Sequence, residues 1–169
     1  MSEYSIDDFY HDMRQDVLAG SEARQDFLEA EFLQNLATEL EESGIIDGFE
    51  PCQYRAARGM RVDGYWFRED EDCVDVFIVD FENREQLESL TRTEAGSIFK
   101  RLENFVTASL DKKLFTGMEE SSPGYGLSRD LYDRRGDYSK VNMFLITERR
   151  MSERIQEMED VQNGSYRFV

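Results

Sequence analysis

The expected fold of this chain is decided by two neighbouring stretches, Arg61-Val-Asp-Gly-Tyr-Trp-Phe67 and Cys73-Val-Asp-Val-Phe-Ile-Val-Asp-Phe-Glu82. Both stretches are rich in aromatic and β-branched residues, which favour strands. The charged run between them, residues 68–72, is typical of a tight turn. The sequence therefore predicts two consecutive strands joined as a hairpin.

Acidic side chains lie inside these apolar strands. Since strand side chains alternate between the two faces of a sheet, Asp80 and Glu82 are expected to project together, and Asp63 to share the face of Tyr65 and Phe67. Pairing of the strands would bring the three carboxylates into one small volume. Acidic groups in apolar strands are costly unless they are paired, hydrogen-bonded or bound to a cation. The pattern therefore indicates a divalent metal site.

Length and composition restrict the classes of protein. The 169 residues suit a single domain over residues 1–169. The chain has neither a long apolar run nor a basic-then-apolar leader, so no membrane span or secretory signal is expected. Cys52 and Cys73 fit neither a disulfide framework nor a zinc motif, and we expect reduced thiols in a cytoplasmic protein.

The formal net charge is −17, and it is concentrated at the beginning of the chain. Residues 1–50 carry 14 Asp and Glu against two Arg. Such a field repels nucleic acid at long range and argues against non-specific binding by this domain.

The periodicity of apolar residues predicts an alternation of helices and strands. Gly20 is read as a stop between two helices, Gly44 as the C′ residue of the second, and Thr93 as a candidate N-cap. The predicted helices cover 4–19, 21–43, 84–114, one or two turns at 127–132, and 149–160. The predicted strands cover 49–56, 61–67, 73–82 and 141–147, and a last one begins at 166.

This order places the chain in the α/β class, with a mixed sheet flanked by helices. It resembles the restriction-endonuclease-like core, with the PD-(D/E)xK motif, preceded by an additional N-terminal helix. That superfamily places an Asp on its second core strand and an (Asp/Glu)-x-Lys on the third, and a Glu often comes from the leading helix. Asp63 and Asp80 match the strand positions. Glu31 is the preferred helix position, with Glu29 as its alternative.

The chain also resembles the N-terminal region of the abortive infection phage resistance (AIPR) family of bacteria. The matching pieces are Phe27-Leu-Glu-Ala-Glu-Phe-Leu33 with Gly44, Gly59-Met-Arg-Val-Asp-Gly-Tyr65, Val79-Asp-Phe81, Leu90-Thr-Arg-Thr-Glu94 with Phe99-Lys-Arg-Leu102, and Phe144-Leu-Ile-Thr147. The resemblance implies a phage-defence protein with a nuclease-like N-terminal domain. A strand that begins at 166, just before the last residue, leads us to expect a fragment with further domains beyond Val169.

In a site of this superfamily, Glu31, Asp63 and Asp80 would hold Mg²⁺ or Mn²⁺, and the metal would activate water for attack on a phosphate. The strand lysine would assist the water. Here Glu82 stands in the lysine position, and the first lysine of the chain is Lys100.

Three replacements for the strand lysine are conceivable from the sequence. Lys100 or Arg101 would reach in from the long helix, Arg84 would act from beyond the strand, or Glu82 would serve as a further ligand. In a purely structural alternative, Asp63 caps the Gly64 turn. Asp80 and Glu82 then pair with Arg55, Arg58 or Arg61.

Three functions remain open from the sequence. The first is a metal-dependent nuclease acting on DNA or RNA. The second is a decayed nuclease fold that serves as an interaction or dimerisation module, in a homodimer or with the C-terminal remainder of the protein. The third is an acidic mimic of nucleic acid. Strand alternation is expected to put part of the trio Tyr65, Trp66 and Phe67 inward, so core packing is favoured over stacking on bases, and His11 is expected to lie on the surface.

Overall fold

The structure, a computed structural model, describes residues 6–56, 59–82, 86, 88–151, 161–163 and 166–168, and the side chains of 23–56, 59–82, 86 and 88–150. The helices are α1 (Ile6–Glu42), α2 (Arg92–Lys112) and α3 (Tyr125–Asp133), with a 3₁₀ turn at Leu114–Gly117. The strands are β1 (Glu50–Ala56), β2 (Met60–Arg68), β3 (Cys73–Asp80), β4 (Ser89–Leu90), β5 (Lys140–Thr147), β6 (Arg150–Met151), β7 (Val161–Asn163) and β8 (Tyr166–Phe168).

A mixed sheet in the order β1-β2-β3-β5-β8-β7 forms the centre of the fold. The β1–β2 and β2–β3 pairs are antiparallel, whereas β3 pairs in parallel with β5 and β5 with β8. Because β3 and β5 run in the same direction, α2 and α3 serve as the crossover between them. The predicted hairpin and the mixed α+β class are confirmed.

Apolar side chains on the two faces of the sheet form two separate cores. Val74, Val76 and Ile78 of β3 join a cluster with Leu102 and Phe105 of α2. The alternate residues Phe77 and Val79 pack on the other face, against Leu33 and Ala37 of α1. β3 is therefore buried on both sides, which explains its nearly continuous apolar sequence.

The alternation of side chains along β2 shifts near Asp63. Val62 lies in the same cluster as Tyr65 and Phe67, although strict alternation would put it on the opposite face. The ladder between β2 and β3 extends from Arg68 to Gly64 and does not include Asp63. The expectation that Asp63 shares the face of Tyr65 and Phe67 was therefore wrong, because the period of two is interrupted at this point.

The two predicted N-terminal helices are one continuous helix, α1. A glycine within a helix costs only about 1 kcal/mol relative to alanine, so Gly20 does not end the helix. The predicted end at Gly44 is confirmed. This residue has a φ of +77°, and the N–H of Ile45 donates to the Leu40 carbonyl at 2.9 Å. Among the described residues, no helix is both long enough and apolar enough to cross a bilayer.

The second long helix begins later than predicted. Its N-cap is Thr91 rather than Thr93, because Thr91 and Glu94 form a reciprocal capping box. Upstream of the cap, β4 pairs with β6, so Arg150 and Met151 are in a strand instead of the predicted helix. The rest of that predicted helix, residues 152–160, lies outside the described residues.

We predict that Phe77→Ala lowers the free energy of unfolding by about 3–5 kcal/mol, because it removes a fully buried ring. The Phe77 ring contacts the Phe49 and Phe144 rings, each at a centroid distance of 5.0 Å. Urea denaturation measures the change. Phe27→Ala is the matched control, since Phe27 is 60% exposed, and it should change stability by less than about 0.5 kcal/mol. Equal losses in the two variants would contradict the assignment of this core.

Candidate functional site

A cleft of about 290 Å³ lies at the carboxyl end of β3, between the sheet, α1 and α2. Its charged lining residues are Asp26, Glu29, Arg55, Arg61, Asp80, Glu82 and Arg101. Asp63 lies directly beside it, bonded to Arg61. This cleft is the place in the described fold where the predicted strand carboxylates come together.

Glu29 is the carboxylate that α1 contributes to the cleft, and it is 6% exposed. Its Oε1 accepts hydrogen bonds from Arg55 and from Nη2 of Arg61, the latter at 3.1 Å. Burial raises the pKa of Glu29 above its ordinary value of 4.5, and this effect outweighs the attraction of Arg61 and Arg55. Glu29 thus links the helix to two strands of the sheet.

Asp63 is completely buried, and both of its carboxylate oxygens accept hydrogen bonds. Oδ2 accepts the Val79 backbone N–H at 2.9 Å and Nε of Arg61 at 2.9 Å, and Oδ1 accepts Nη2 of Arg61 at 3.3 Å. The carboxylate therefore satisfies a β3 amide just beyond the point where the β2–β3 ladder ends. This role is close to the structural alternative expected from the sequence, but Asp63 caps a strand amide rather than the Gly64 turn.

Asp80 is held by residues at the end of β5. Its Oδ2 accepts the Thr147 hydroxyl at 2.6 Å and Nε of Arg149 at 2.8 Å. Arg149 also donates to Glu94, the capping residue of α2, at 2.6 Å. The next carboxylate along the chain, Glu82, lines the cleft beside Asp80. Asp80 therefore pairs with Arg149, a partner that was not among the arginines considered from the sequence.

The preferred helix carboxylate, Glu31, does not reach this site. Glu31 is exposed on α1, whereas Glu29 is buried against the sheet. Positions 29 and 31 of a helix lie about 200° apart, so only one of them can face the strands. Expecting Glu31 in the cleft was therefore wrong, and its alternative Glu29 occupies the position.

The residues considered as replacements for the strand lysine lie in different places. Arg101 lines the cleft. Lys100 lines a separate groove with Gly59 and pairs with Glu103 at 3.5 Å. Arg84 lies outside the described residues. The cation that α2 brings to the cleft is thus Arg101, and a guanidinium is not a group that takes up a proton from water.

These residues do not fit a Mg²⁺ or Mn²⁺ site in the arrangement described. Such ions need several carboxylate oxygens facing one open position. The oxygens of Asp63 are buried against Arg61 and Val79, and Oδ2 of Asp80 is bonded to Arg149. Within the described ranges, no group of three or more His, Cys, Asp and Glu side chains is arranged to hold a metal ion.

Two ion pairs of the structure were not predicted from the sequence. Arg149 and Thr147 bind Asp80, and a signal for them existed, because the carboxyl ends of parallel neighbouring strands meet at one edge of a sheet. The second ion pair is between Arg68 and the fully buried Asp75, at 2.6 Å. Burial raises the pKa of Asp75, whereas its hydrogen bonds to Asn142 and Arg68 lower it. A lone Asp in an apolar strand does not reveal which cation it will meet.

The free thiols agree with the expectation of no disulfide among the described residues. Burial, with smaller contributions from the Asp63 and Glu50 charges, raises the pKa of Cys52 to about 11. The thiol is therefore protonated near neutral pH and a weak nucleophile.

Comparison with known families gives one match. Residues 32–168 match a family model described as the abortive infection phage resistance protein N-terminal domain. The match covers most of the chain and includes both strand aspartates, whereas Glu29 and Glu31 lie just before it. Searches of curated proteins and of solved structures found no match.

We predict that Asp63→Ala lowers the free energy of unfolding by about 3 kcal/mol. The change leaves the Val79 N–H without its acceptor and removes a bidentate partner of Arg61. Urea denaturation measures the loss. Glu31→Ala, on the exposed side of α1, should change stability by less than about 0.5 kcal/mol. An Asp63 variant as stable as the Glu31 variant would be inconsistent with a structural carboxylate.

A second prediction concerns the pH dependence contributed by Glu29. Because its pKa is raised on folding, the folded protein binds this proton more tightly than the unfolded chain does. The contribution of Glu29 to stability is therefore fully present below pH 4.5 and is lost as pH rises through the raised pKa. Glu29→Gln does not titrate. The stability of the wild type relative to this variant should be greatest near about pH 4 and should decrease towards about pH 7. A difference that increases with pH in parallel denaturation series would refute the direction of the shift.

Proposed function

Since the chain belongs to the abortive infection phage resistance family through its N-terminal domain, we propose that the domain is a restriction-endonuclease-like fold that acts as an interaction module. The family implies a phage-defence protein of the abortive-infection type. The proposal concerns what this domain contributes to that protein. It assigns the domain a binding role in place of autonomous, metal-dependent cleavage of nucleic acid.

The arrangement of elements supports the fold assignment. α1 is followed by three antiparallel strands, a crossover of helices and a strand parallel to β3. Asp63 on β2, Asp80 on β3 and Glu29 on the leading helix match the positions at which the superfamily carries its acidic residues. The resemblance lies in topology and in the positions of these acids together.

The observation that carries the functional proposal is the pairing of each acidic position with an arginine. Arg61 bonds both Asp63 and Glu29, at 2.9 and 3.1 Å. Arg149 bonds Asp80 at 2.8 Å. A guanidinium binds carboxylate oxygens with planar geometry and a permanent charge, so it neutralises the carboxylates without a metal. These carboxylates then serve to connect α1 and the strands of the sheet.

Replacement of the strand lysine supports the same conclusion. Glu82 adds negative charge where a hydrolase would have a cation to orient water and stabilise the developing charge. Arg101 contributes a charge to the cleft, but a guanidinium rarely accepts a proton. The cleft therefore lacks a good base of the usual kind.

The partners that we propose for the module are other protein segments. The first is the C-terminal remainder of the same defence protein, because the family describes its domain as N-terminal. The second is another copy of the chain, in a homodimer. Both leave DNA or RNA recognition to other parts of the protein, in keeping with the repulsion expected from a net charge of −17.

Metal-dependent cleavage of DNA or RNA is the competing function, and one observation favours it. Asp80, Glu82 and Glu29 border the same 290 Å³ cleft, which is large enough to admit a phosphate group. Substrate or metal would have to displace Arg61 or Arg149 from the carboxylates. This requirement makes the competing function directly testable.

We predict that calorimetric titration with Mn²⁺ detects no one-site binding to the wild-type domain at millimolar concentration, because the carboxylate oxygens already bind guanidinium groups. Asp80→Ala and the isosteric Asp80→Asn should give the same result. Saturable binding in the wild type that is lost in both variants would reject the proposal and favour the nuclease.

The interaction role itself is tested by co-expressing tagged residues 1–169 with the separate remainder of the protein. Co-purification supports the proposed contact, and its absence, together with a monomeric domain by light scattering, contradicts it.

A further inference from the structure

A second concave surface lies at the tip of the β2–β3 hairpin, at the opposite end of β3 from the cleft. We call it the hairpin groove, and it is formed by Asp47, Glu50, the run Tyr65–Asp70 and Arg134. Its volume is about 500 Å³. None of the residues that line the hairpin groove lines the carboxylate cleft.

Trp66 is the aromatic centre of the hairpin groove. It is 37% exposed, one of few large apolar side chains on the described surface, and it is the only tryptophan in the sequence. A Cβ atom on Gly48 would lie 2.5 Å from the indole ring, so the ring packs against bare backbone. The β1–β2 ladder ends at the pair Glu50–Tyr65, so Trp66 lies just beyond the last paired residue. Its position is therefore fixed while part of the ring stays open to solvent.

The expectation that part of the trio Tyr65, Trp66 and Phe67 packs inward is confirmed for Tyr65 and Phe67, whereas Trp66 stays partly exposed. Tyr65 and Phe67 do pack against the core cluster on the α2 side. Trp66 points to the other face of the strand, beyond the end of β1, where the Gly48 backbone covers one side of the ring and the rest is open to solvent.

Carboxylates without an ion pair surround this aromatic centre. Asp47, Glu50 and Asp70 are exposed, and in the part of the chain that the structure describes none of them is within ion-pairing distance of a cation. The two arginines that line the groove already form ion pairs with other carboxylates. Arg68 bonds the buried Asp75 at 2.6 Å, and Arg134 pairs with Glu69 and Asp137, each at 3.6 Å. The hairpin groove therefore carries uncompensated negative charge around an exposed indole.

One wall of the groove already binds a guanidinium. Arg134 lies over the Phe67 ring at 4.1 Å from the ring centroid and pairs with Glu69. An aromatic face combined with a carboxylate is therefore a combination that this surface uses with an arginine of its own chain. Trp66 with Asp47 and Asp70 repeats that combination, and although Asp47 attracts Arg68, the Arg68 guanidinium bonds Asp75 and Glu71.

We infer that the hairpin groove binds an arginine-bearing segment of a partner protein, with a guanidinium stacked on Trp66, attracted by Asp47 and Asp70 and, from the Tyr65 side of the groove, by Glu50. Tryptophan is the aromatic residue that attracts cations most strongly, and a guanidinium stacks on rings with little loss of hydration. A nucleic acid would also offer flat groups for stacking, but its phosphates would be repelled by the same three carboxylates. Charge complementarity therefore selects a basic protein segment.

This inference rests on the interaction role proposed above and gives that role a partner chemistry, but it uses a different surface. Metal titration of the cleft and peptide binding at the groove report on separate residues. Mn²⁺ binding at Asp80 would reject the proposed role of the cleft and leave the groove untouched. Failure of peptide binding would reject the inferred role of the hairpin groove and would not affect the proposed role of the cleft.

The test uses the fluorescence of Trp66, which reports on the groove alone because the chain has no other tryptophan. The probe is a capped Gly/Ser peptide with three arginines, and the control peptide carries citrulline, which keeps the shape and loses the charge. We expect a saturable fluorescence change with the arginine peptide and none with the citrulline peptide. Added salt should weaken binding, because the groups are exposed.

Two triple variants separate the groove from the overall charge of the protein. In the first, Asp47→Asn, Glu50→Gln and Asp70→Asn remove three charges from the groove, and binding should weaken by about tenfold. In the second, Asp111→Asn, Glu119→Gln and Glu120→Gln remove three exposed charges outside it, and binding should be nearly unchanged. Equal weakening in the two variants would mean that binding depends only on the net charge of the protein, and it would overturn the inference.

The aromatic contribution and the competing ligand are tested separately. Trp66→Leu should weaken binding of the arginine peptide by about tenfold in calorimetry. Single-stranded oligonucleotide is the second probe. Saturable quenching of Trp66 by the oligonucleotide, with no response to the arginine peptide, would overturn the inference and assign the indole to base stacking.

Discussion

The fold depends most on the position of the Arg61 guanidinium. This group lies between Asp63 on its own strand and Glu29 on α1, and it bonds both carboxylates. A fully buried carboxylate is tolerated only with a cation or several hydrogen bonds, so Asp63 requires Arg61. Through Asp63 the same group holds the Val79 amide, and through Glu29 it holds the helix against the sheet. One guanidinium thus supports both the carboxylate that binds the β3 amide and the contact of α1 with the sheet.

This constraint determines the chemistry that the cleft can perform. A divalent ion and a guanidinium compete for the same carboxylate oxygens, and the guanidinium is covalently attached at high effective concentration. Displacing Arg61 would leave its charge half-buried, and would remove a restraint on the helix and on the Val79 amide. Arg149 imposes a similar condition at Asp80, because it also bonds the capping residue of α2. Metal binding would therefore be opposed by the same interactions that stabilise the fold.

Much of the fold was predictable because it depends on local pattern. The β-branched run of β3, the hairpin and the end of α1 at Gly44 follow from strand propensity and glycine conformation. The start of α2 was misplaced because Thr91 and Thr93 are both good caps, and only the contact with Glu94 distinguishes them. The continuity of α1 through Gly20 was missed because a single glycine weakens a helix without ending it.

The site was less predictable, because it depends on which charges meet in space. Asp63 and Asp80 were identified from their cost inside apolar strands, but that cost does not reveal whether a metal or an arginine offsets it. Glu29 and Glu31 are two residues apart, and the choice between them depends on the rotation of α1 about its axis. Arg149 follows β5 and meets Asp80 only because β5 is the parallel neighbour of β3. Sequence patterns within single elements do not contain that information.

The two ends of the β2–β3 hairpin use their charges in opposite ways. At the cleft end, Glu29, Asp63 and Asp80 are each satisfied by an arginine of the same chain. At the tip, Arg68 pairs with the buried Asp75. The exposed carboxylates Asp47, Glu50 and Asp70 line the same groove as Trp66. Internal ion pairs at the first end occupy carboxylate oxygens that an external cation would need. The uncompensated carboxylates keep the second end open to such cations. If the inference about the hairpin groove holds, the arginines paired at the cleft and the exposed carboxylates at the tip divide the acidic charge between stabilising the fold and binding a partner.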